Sequence, residues 1–357
     1  MRQVFVTPQG QVIVREADDP LLTAGRVLVR PHYSAISTGT EVATIEEVRA
    51  NPGSDDVPLG YSLAGEVVAV GEGVEGVSIG DFLSCGGWNI SVHAEVVSAP
   101  VNFCAPLAPA APLPPDSVLR EACFSTIAAI SLQAVRLSRP ALGEKVVIIG
   151  TGIIGQFAAI LARLSGARVV VVGHRNEKRL DLARRMGAER TVLSATGDPV
   201  ALVEEFTEGV GADAVLHCAR TDGRDSLDQA LAMTREKGTL VLVGDMPIEM
   251  DRRPLFRKEL NVVVSRSTGP GRYDSNVEVE GRDYPLAYVR WSGRRNHAEC
   301  ARLITQGLVD VGSLITHEFP FASAPEAFDL VTDAGADTVG VVLRYDAAHA
   351  ATTVARE

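Results

Sequence analysis

Residues 144–173, EKVVIIGTGIIGQFAAILARLSGARVVVVG, combine a strand, a glycine-rich turn, a helical segment and a second strand. Residues 146–149 and 169–172 are unbroken runs of valine and isoleucine, which are typical of strands covered on both faces of a parallel sheet. The apolar pattern between them predicts a helix. Because a strand, a helix and a further strand in this order form a βαβ unit, the sequence predicts an α/β fold with a doubly wound parallel sheet.

Three glycines, Gly150, Gly152 and Gly155, stand in G-x-G-x-x-G spacing directly after the first of these strands. In a dinucleotide-binding loop the first permits the tight turn, the second lets the backbone approach a pyrophosphate, and the third lets helix and strand pack closely. The start of the following helix offers unpaired N–H groups and a positive dipole end to the phosphates. The motif predicts a bound dinucleotide, with a purely structural turn as the alternative.

The second strand ends at Gly173 and is followed by His174 and Arg175, where an NAD site carries an acidic residue for the ribose 2′-hydroxyl. The missing acid and the added arginine favour a 2′-phosphate, and therefore NADP(H), over NAD(H). The alternative is a solvated Arg175 and a ribose bound by backbone groups. The predicted cofactor-binding residues are Gly150, Gly152, Ile153, Ile154, Gly155, His174, Arg175, Arg179, Cys218, Gly244 and Arg266.

The segments on either side of this stretch differ in pattern. Short apolar strands and amphipathic helices alternate as far as residue 244, which extends the parallel sheet. The first hundred residues alternate as β-strands do, beginning with a hairpin in VFVTPQGQVIVRE, residues 4–16. The Pro-rich LAPAAPLPPD, residues 107–116, is predicted to be a boundary loop, and DAAHAATTVARE, residues 346–357, a loose tail.

Composition excludes several classes of protein for these 357 residues. A net charge of −11 argues against a nucleic-acid partner or an anionic membrane partner. The five cysteines are scattered without a C-x-x-C pair, so neither a disulfide framework nor a zinc knuckle is indicated, and a reducing compartment is expected. The first residues lack a signal-peptide pattern and no long apolar run occurs, so we expect a cytoplasmic protein without a membrane span.

The sequence resembles the medium-chain dehydrogenase/reductase superfamily, which includes alcohol dehydrogenases and quinone reductases. The resemblance covers nearly the whole chain and rests on residues 144–173, on GEVVAVGEGVEGVSIGD (65–81), on GTLVLVG (238–244) and on EAFDLVTDAGADTVGVVL (326–343). It implies a Rossmann domain of residues 127–268 inserted into a β-rich GroES-like catalytic domain of residues 1–126 and 269–357. It also implies an active site in the cleft, where the nicotinamide arrives from the carboxyl edge of the sheet.

Zinc-dependent members of this superfamily hold a catalytic metal near three motifs, and this sequence carries hydroxyl residues at each of them. Thr38 stands in TGTE where the resemblance expects a cysteine, and Tyr61 and Ser62 stand in GYS where it expects histidine and glutamate. Thr126 lies nearest the third ligand position. Because zinc binds thiolate, imidazole or carboxylate and not neutral hydroxyls, the sequence predicts no metal.

Tyr61 therefore occupies a metal-ligand position, and we expect its phenol to polarise a carbonyl or enolate oxygen of the substrate. Thr40 matches the hydroxyl that begins the superfamily's proton relay, and Thr38 and Ser62 are expected to give supporting hydrogen bonds. The alternative is that Tyr61 merely fills the vacated metal cavity. The histidines form no ligand-spaced cluster, and His93 and His217 are predicted to be structural.

A polar, aromatic and basic segment follows the last Rossmann strand. It is predicted to bind a polyhydroxylated or phosphorylated substrate, with a dimer contact as the alternative. The predicted substrate residues are Ser62, Thr126, Arg272, Tyr273, Tyr288, Arg290 and Trp291. The stretches YSAISTGTE, FSTIAAISLQAVR and SRSTGPGRYD resemble a zinc-free subgroup that includes bacteriochlorophyllide-type dehydrogenases and cyclitol-modifying enzymes.

Together these patterns favour a zinc-independent, NADP(H)-dependent oxidoreductase of a small polar carbonyl or enone, related to cyclitols, sugars or secondary metabolites. An NAD(H)-dependent polyol or cyclitol dehydrogenase is one alternative. A non-catalytic NADPH-binding sensor or scaffold is another, because fold alone does not determine function. We also expect a homodimer that pairs edge strands from GTLVLVG and NVVVSRS across a two-fold axis.

Overall fold

The computed structural model describes residues 1–107, 114–278, 280–333 and 335–346. Most of the predicted boundary loop, residues 108–113, and most of the predicted tail, residues 347–357, lie outside the described residues. By their contacts the residues form two compact units. The first consists of residues 1–126, 274–283 and 301–357, and the second of residues 127–273 and 284–300.

The chain begins with short strands and with helices on either side of the Pro-rich stretch. These elements are β1 (Arg2–Val6), β2 (Val12–Glu16), β3 (Arg26–Ile36), α1 (Thr40–Ala50), β4 (Val57–Pro58), β5 (Ser62–Val70), β6 (Phe82–Gly86), β7 (Val97–Pro100), β8 (Cys104–Pro106), α2 (Asp116–Ala122) and α3 (Ser125–Ser138).

The central part of the chain alternates strand and helix. Its elements are β9 (Lys145–Ile149), α4 (Ile153–Leu164), β10 (Arg168–Gly173), α5 (Glu177–Arg185), β11 (Arg190–Leu193), α6 (Pro199–Phe206), β12 (Ala212–His217), α7 (Asp225–Met233), β13 (Thr234–Leu242), α8 (Arg252–Lys258) and β14 (Asn261–Val264). The last part contains α9 (Ser275–Glu278), α10 (Gly293–Thr305), β15 (Ile315–Pro320), α11 (Ala324–Thr332) and β16 (Gly340–Arg344).

The second unit contains the predicted parallel sheet. Its six strands are ordered β11-β10-β9-β12-β13-β14, and every neighbouring pair is parallel. The valines and isoleucines of β9 and β10 are buried, and each such side chain contributes about 1.5–3 kcal/mol of burial free energy. The α/β class with a Rossmann-like parallel sheet is thereby confirmed.

The first unit contains a seven-stranded sheet in the order β15-β16-β3-β5-β6-β8, with β7 paired to β3, and a three-stranded sheet in the order β2-β1-β4. Strand β16, from the end of the chain, pairs antiparallel with β3, so that Val342 lies opposite Ala35. Both ends of the chain therefore contribute to one β-rich unit, which is separate from the parallel sheet.

Several bounds differ from those expected. The apolar stretch of residues 117–138 reads as one helix in the sequence but forms two, α2 and α3, and the sequence STGTE, which reads as a turn after β3, leads into α1. SLDQALAMTRE, residues 226–236, reads as a helix, but strand β13 already begins at Thr234. Residues 269–273 and 284–300 cluster with the Rossmann unit, whereas the resemblance places them in the catalytic domain.

Among the described residues, no single helix is long and apolar enough to span a membrane. Helices α2 and α3 together reach that length and apolar composition, but they are bent by 48° relative to each other.

Candidate active site

The glycine-rich turn joins β9 to α4, and its three glycines differ in their surroundings. Gly150 has a φ of +111°, and a Cβ added to it would lie 2.8 Å from the backbone nitrogen of Ala219. A Cβ added to Gly155 would overlap the carbonyl oxygen of Gly150. At Gly152, by contrast, an added Cβ would meet no atom within 4 Å. The first and third glycines are required by the protein's own backbone, whereas Gly152 leaves open the space at the start of α4 that a pyrophosphate needs.

The carboxyl end of β10 presents basic side chains and no carboxylate at residues 174–176. His174 and Arg175 are exposed, and His174 Nδ1 lies 3.2 Å from the Ser194 hydroxyl at the end of β11. Arg179, in the first turn of α5, is half-buried, and its backbone N–H donates to the Asn176 side chain at 3.2 Å. The open glycine turn and these basic groups fit a nicotinamide dinucleotide.

The remaining predicted cofactor residues lie in varied surroundings. Ile153 is buried and Ile154 half-buried in the first turn of α4. Burial raises the pKa of the Cys218 thiol to about 12, so this thiol stays protonated. An added Cβ at Gly244 would overlap the carbonyl oxygen of Ala219. The packing of the protein therefore explains the glycine at position 244 without a ligand.

Tyr61 is 7% exposed, and its hydroxyl donates to the Ser37 Oγ at 2.9 Å. Ser37 Oγ also accepts the backbone N–H of Thr40 at 3.3 Å. The Tyr61 ring lies 6.3 Å from the ring of Trp88, tilted at 46°. Tyr61 therefore does more than fill space, because its hydroxyl forms a pair with a second hydroxyl. Sequence reasoning had not singled out Ser37.

Around this hydroxyl pair lies a buried polar network. Glu41 Oε2 accepts the backbone N–H of Ser37 at 2.6 Å, and Glu41 Oε1 lies 2.8 Å from His93 Nε2. His93 Nδ1 lies 2.7 Å from Ser34 Oγ, which in turn lies 2.9 Å from the Tyr345 hydroxyl. Glu41, His93 and Ser34 are each 0% exposed. The sequence pattern places His93 in a strand, whereas the structure places it just before an isolated bridge at Ala94.

The other predicted hydroxyl residues lie in different settings. Thr40 is exposed at the start of α1, and Thr38 is half-buried two residues earlier. The hydroxyl of Ser62 is buried and donates to the Cys123 carbonyl at 2.5 Å, so it is used inside the protein. Thr126 is buried, and its side chain lies where a Cβ on Gly86 would be.

The donor set does not fit zinc. Within residues 1–107, 114–278, 280–333 and 335–346, no three His, Cys, Asp or Glu side chains group so as to hold a metal ion. The three predicted ligand positions present neutral hydroxyls at Thr38, Tyr61 and Thr126. Zinc sites use thiolate, imidazole or carboxylate ligands.

The predicted substrate segment separates into two groups within the Rossmann unit. Arg266 and Arg272 lie with their guanidinium carbons 4.8 and 4.6 Å from the centroid of the Tyr273 ring, and Tyr273 has a φ of +64°. In the second group, Arg290 lies 3.8 Å from the Trp291 ring centroid, and Arg136 lies 3.3 Å from it. Tyr288 is 88% exposed.

Arg136 was not predicted from the sequence. Burial lowers the pKa of its guanidinium to about 10.

Two cysteines that look scattered in the sequence are neighbours in the fold. Cys85 and Cys104 lie opposite each other on β6 and β8, and their Sγ atoms are 3.4 Å apart. The hydrogen bond with Cys104, together with burial, raises the pKa of the Cys85 thiol. The spacing of the cysteines along the chain does not predict this pair, because the two residues become neighbours only through the pairing of β6 with β8.

Comparisons with known proteins agree with this architecture. Residues 154–279 match the family model described as zinc-binding dehydrogenase. The D-arabitol-phosphate dehydrogenase of Enterococcus avium is 26% identical over 88% of this chain and 89% of the relative. The sorbitol dehydrogenase of Halalkalibacterium halodurans is 25% identical over 90% of this chain and 93% of the relative. Over these lengths the chain is similar to zinc-binding dehydrogenases.

Two solved structures share the fold at low identity. A protein of Sinorhizobium meliloti 1021, described as a zinc-binding dehydrogenase bound to NADP, has a TM-score of 0.77 and 22% identity, covering 96% of this chain and 98% of its own. A short chain alcohol dehydrogenase of Escherichia coli CFT073 complexed with NADH has a TM-score of 0.74 and 20% identity, covering 96% of this chain and 99% of its own.

Proposed function

We propose that this chain is a zinc-independent oxidoreductase that uses NADP(H) and interconverts an alcohol and a carbonyl on a polyol, cyclitol or related sugar. The observation that carries the proposal is Gly152, whose open surroundings at the start of α4 have no explanation in the protein's own packing. When bound, the nicotinamide supplies or accepts the hydride. The loop residues Gly150, Gly152 and Gly155 would hold its pyrophosphate.

The substrate class is supported by two observations. Relatives that align over most of the chain are named for sorbitol and for D-arabitol phosphate, both of which are polyols. Tyr61 donates its only hydroxyl proton to Ser37 Oγ, and the Ser37 hydroxyl keeps a proton of its own as a neutral donor of the kind that stabilises an oxygen as it gains charge. Reduction of an activated C=C bond is the second candidate, because such a bond needs less polarisation than a ketone when no Lewis acid assists.

The preference for NADP(H) is proposed from charge. Residues 174–176 are His, Arg and Asn, and the nearest acid, Glu177, is paired with Arg184 at 2.8 Å. A 2′-phosphate would therefore meet Arg175 without a repelling carboxylate. NAD(H) is the alternative, and structural relatives bind one cofactor or the other.

The test is a substrate screen of the purified protein, followed at the nicotinamide absorbance band with NADP⁺ and with NAD⁺. The panel contains sorbitol, D-arabitol, galactitol, their monophosphates and myo-inositol, with enones tested against NADPH and NADH. We expect NADP⁺-dependent oxidation of a polyol. In the reverse direction, NADPH deuterated at C4 should place its label on the carbinol carbon when it reduces the corresponding ketone, whereas label on the β-carbon of a reduced enone would favour the second candidate.

Zinc independence is tested on the same preparation. We expect elemental analysis of the active protein to show zinc far below one atom per chain, and dialysis against EDTA to leave the rate unchanged. Stoichiometric zinc that is needed for activity would overturn this part of the proposal. Tight NADPH binding without turnover of any panel member would instead favour a non-catalytic sensor or scaffold.

A further inference from the structure

The buried Glu41–His93 pair lies next to the hydroxyl pair and is shut off from solvent. Each side chain is 0% exposed, and Glu41 Oε1 lies 2.8 Å from His93 Nε2. Burying a carboxylate costs several kcal/mol unless hydrogen bonds compensate, and both oxygens of Glu41 have such partners. A pair this costly to bury is weak evidence for a contribution to stability, so another role has to be considered.

Nucleophilic catalysis is one role that the geometry excludes. Ser34, His93 and Glu41 follow one another at 2.7 and 2.8 Å, which resembles the order of a serine–histidine–carboxylate triad. All three side chains are fully buried, however, so no substrate reaches the Ser34 hydroxyl.

Proton conduction to Tyr61 is excluded for a different reason. The link from Glu41 to Ser37 runs through the backbone N–H of Ser37, not through its hydroxyl. A backbone amide does not pass a proton on, so the network is interrupted at this point. The pair can therefore influence Tyr61 through position only.

The pair connects the two segments that carry the hydroxyls. The backbone N–H of His93 donates to Leu59, two residues before Tyr61, at 2.8 Å. The His93 side chain contacts the Glu41 carboxylate. That carboxylate accepts the backbone N–H of Ser37, and the backbone N–H of Glu41 donates to the Ser37 carbonyl at 3.1 Å. The 2.9 Å separation of the Tyr61 and Ser37 hydroxyls is thus determined by contacts that pass through this pair.

We propose that Glu41 and His93 are positioning residues that hold the Ser37 hydroxyl against the Tyr61 hydroxyl in the geometry needed to bind the substrate oxygen. The expected effect on kcat rests on the proposed function, whereas the expected effect on the distance between the two hydroxyls does not. It assigns a task to a histidine that sequence reasoning took to be merely structural.

The decisive variant replaces both partners, Glu41→Leu with His93→Phe. No charge is then left buried without a partner, and replacement of a buried pair by apolar residues is often neutral or stabilising, which offsets the cost of about 1–3 kcal/mol for the Ser37 N–H that loses its acceptor. We expect the thermal midpoint to stay within a few degrees, and kcat on the fastest panel polyol to fall about tenfold to a hundredfold from misplacement of the hydroxyls. KM should stay within about twofold, since ground-state binding is kept.

Two further variants serve as controls for this comparison. Glu41→Gln can still accept the Ser37 N–H and donate to a neutral His93, so we expect a kcat close to that of the unaltered protein. The control is Arg2→Leu with Glu95→Leu, which removes an ion pair of 2.7 Å in the same unit. Glu95, like Glu41, accepts a backbone N–H, and this control should leave kcat unchanged. If Glu41→Gln is as slow as the double apolar variant, the charge of Glu41 matters and positioning is refuted.

Crystal structures of the unaltered protein and of the double apolar variant test the same inference without any activity. We expect the Ser37 Oγ to Tyr61 hydroxyl distance to increase beyond hydrogen-bonding range in the variant. An unchanged distance would overturn the inference, whatever the rates. A failure of the unaltered protein to oxidise any polyol would overturn the proposed function alone, because the crystallographic result still decides the positioning role.

Discussion

At the scale of single residues, two buried tyrosines of the same unit allow a controlled comparison. Tyr33 is 2% exposed and donates its hydroxyl to the Asp116 carboxylate at 2.7 Å. Tyr61 is 7% exposed and donates to Ser37, a second hydroxyl. Both hydroxyls are satisfied inside the protein. Of the two, only Tyr61 donates to a neutral hydroxyl, that of Ser37, whose own proton can then be donated to a substrate oxygen.

Removal of the phenolic oxygen should therefore affect catalysis at one of these tyrosines and not at the other. For Tyr61→Phe we expect kcat to fall about a hundredfold, the usual cost of losing one hydrogen bond that supports a developing negative charge, because the Ser37 hydroxyl loses the donor that orients it. Tyr33→Phe loses a partly buried hydrogen bond, worth about 1 kcal/mol of stability, and should keep its kcat. Steady-state kinetics of both variants beside thermal unfolding makes the comparison, and equal rates would refute a catalytic role for Tyr61.

Arg175 allows a similar test of cofactor choice. Arg175→Ala should weaken NADPH binding by about tenfold to a hundredfold, the value of a charge-assisted hydrogen bond, while NADH binding stays the same. Arg185→Ala, an exposed arginine at the end of α5, serves as the control. Fluorescence titration with each cofactor measures the affinities. Equal losses for NADPH and NADH would show that Arg175 does not contact a 2′-phosphate.

How far these residues could be foreseen depends on how local their signals are. Gly152 belongs to a motif of six consecutive residues, so the sequence alone identified it. Glu41 and His93 are 52 positions apart and meet only because the fold of the first unit brings them together. Ser37 gave no signal for the same reason, since its partner Tyr61 is 24 positions away.

At the scale of elements, the turn from β9 into α4 separates a structural role of glycine from a binding role. A Cβ at Gly155 would collide with the Gly150 carbonyl, whereas a Cβ at Gly152 would meet nothing. Gly152 also has a φ of −74°, which alanine adopts without strain. The two positions should therefore respond in opposite ways to the same substitution.

For Gly152→Ala we expect a free energy of unfolding within about 1 kcal/mol of the unaltered protein and an affinity for NADPH lowered by at least about tenfold. Gly155→Ala should instead destabilise the protein by about 1–3 kcal/mol, because backbone must move to admit the methyl group. Denaturant unfolding and cofactor titration measure both quantities. Undiminished NADPH binding by Gly152→Ala would mean that the turn is structural only.

Elements formed by an unbroken run of apolar residues were predicted correctly from the sequence. Strands β9 and β10 are valine and isoleucine runs, and their type was correct. Helix α1 was missed, although Val42 and Ile45, three residues apart, are both buried against the first unit's core. Charged residues lie on either side of this pair, at Glu41, Glu46, Glu47 and Arg49, so the apolar spacing is too short to stand out as helical. The start of β13 was missed because Thr234–Leu242 opens with polar residues that read as a helix end.

At the scale of the whole molecule, the parallel sheet has one edge that bears on assembly. The predicted dimer was to pair GTLVLVG with NVVVSRS, but β13 is already paired on both sides, with β12 and β14. Of these two strands, β14 lies at an edge of the sheet and β13 does not. The backbone N–H of Ser265 donates to Leu242, so by alternation the N–H of Val264 points away from β13, and the Val264 side chain is 62% exposed.

We therefore propose that two copies pair through β14 across a two-fold axis, with the outward amide of Val264 in the new ladder. Val264→Pro removes that amide without removing a bond to β13, and proline is tolerated on an edge strand in this orientation. Light scattering coupled to size exclusion should show a dimer for the unaltered protein and a monomer for Val264→Pro. Val264→Thr keeps the amide and should remain dimeric. A dimer that survives Val264→Pro with its secondary structure intact would place the interface elsewhere, and a monomeric unaltered protein would leave β14 as a free edge.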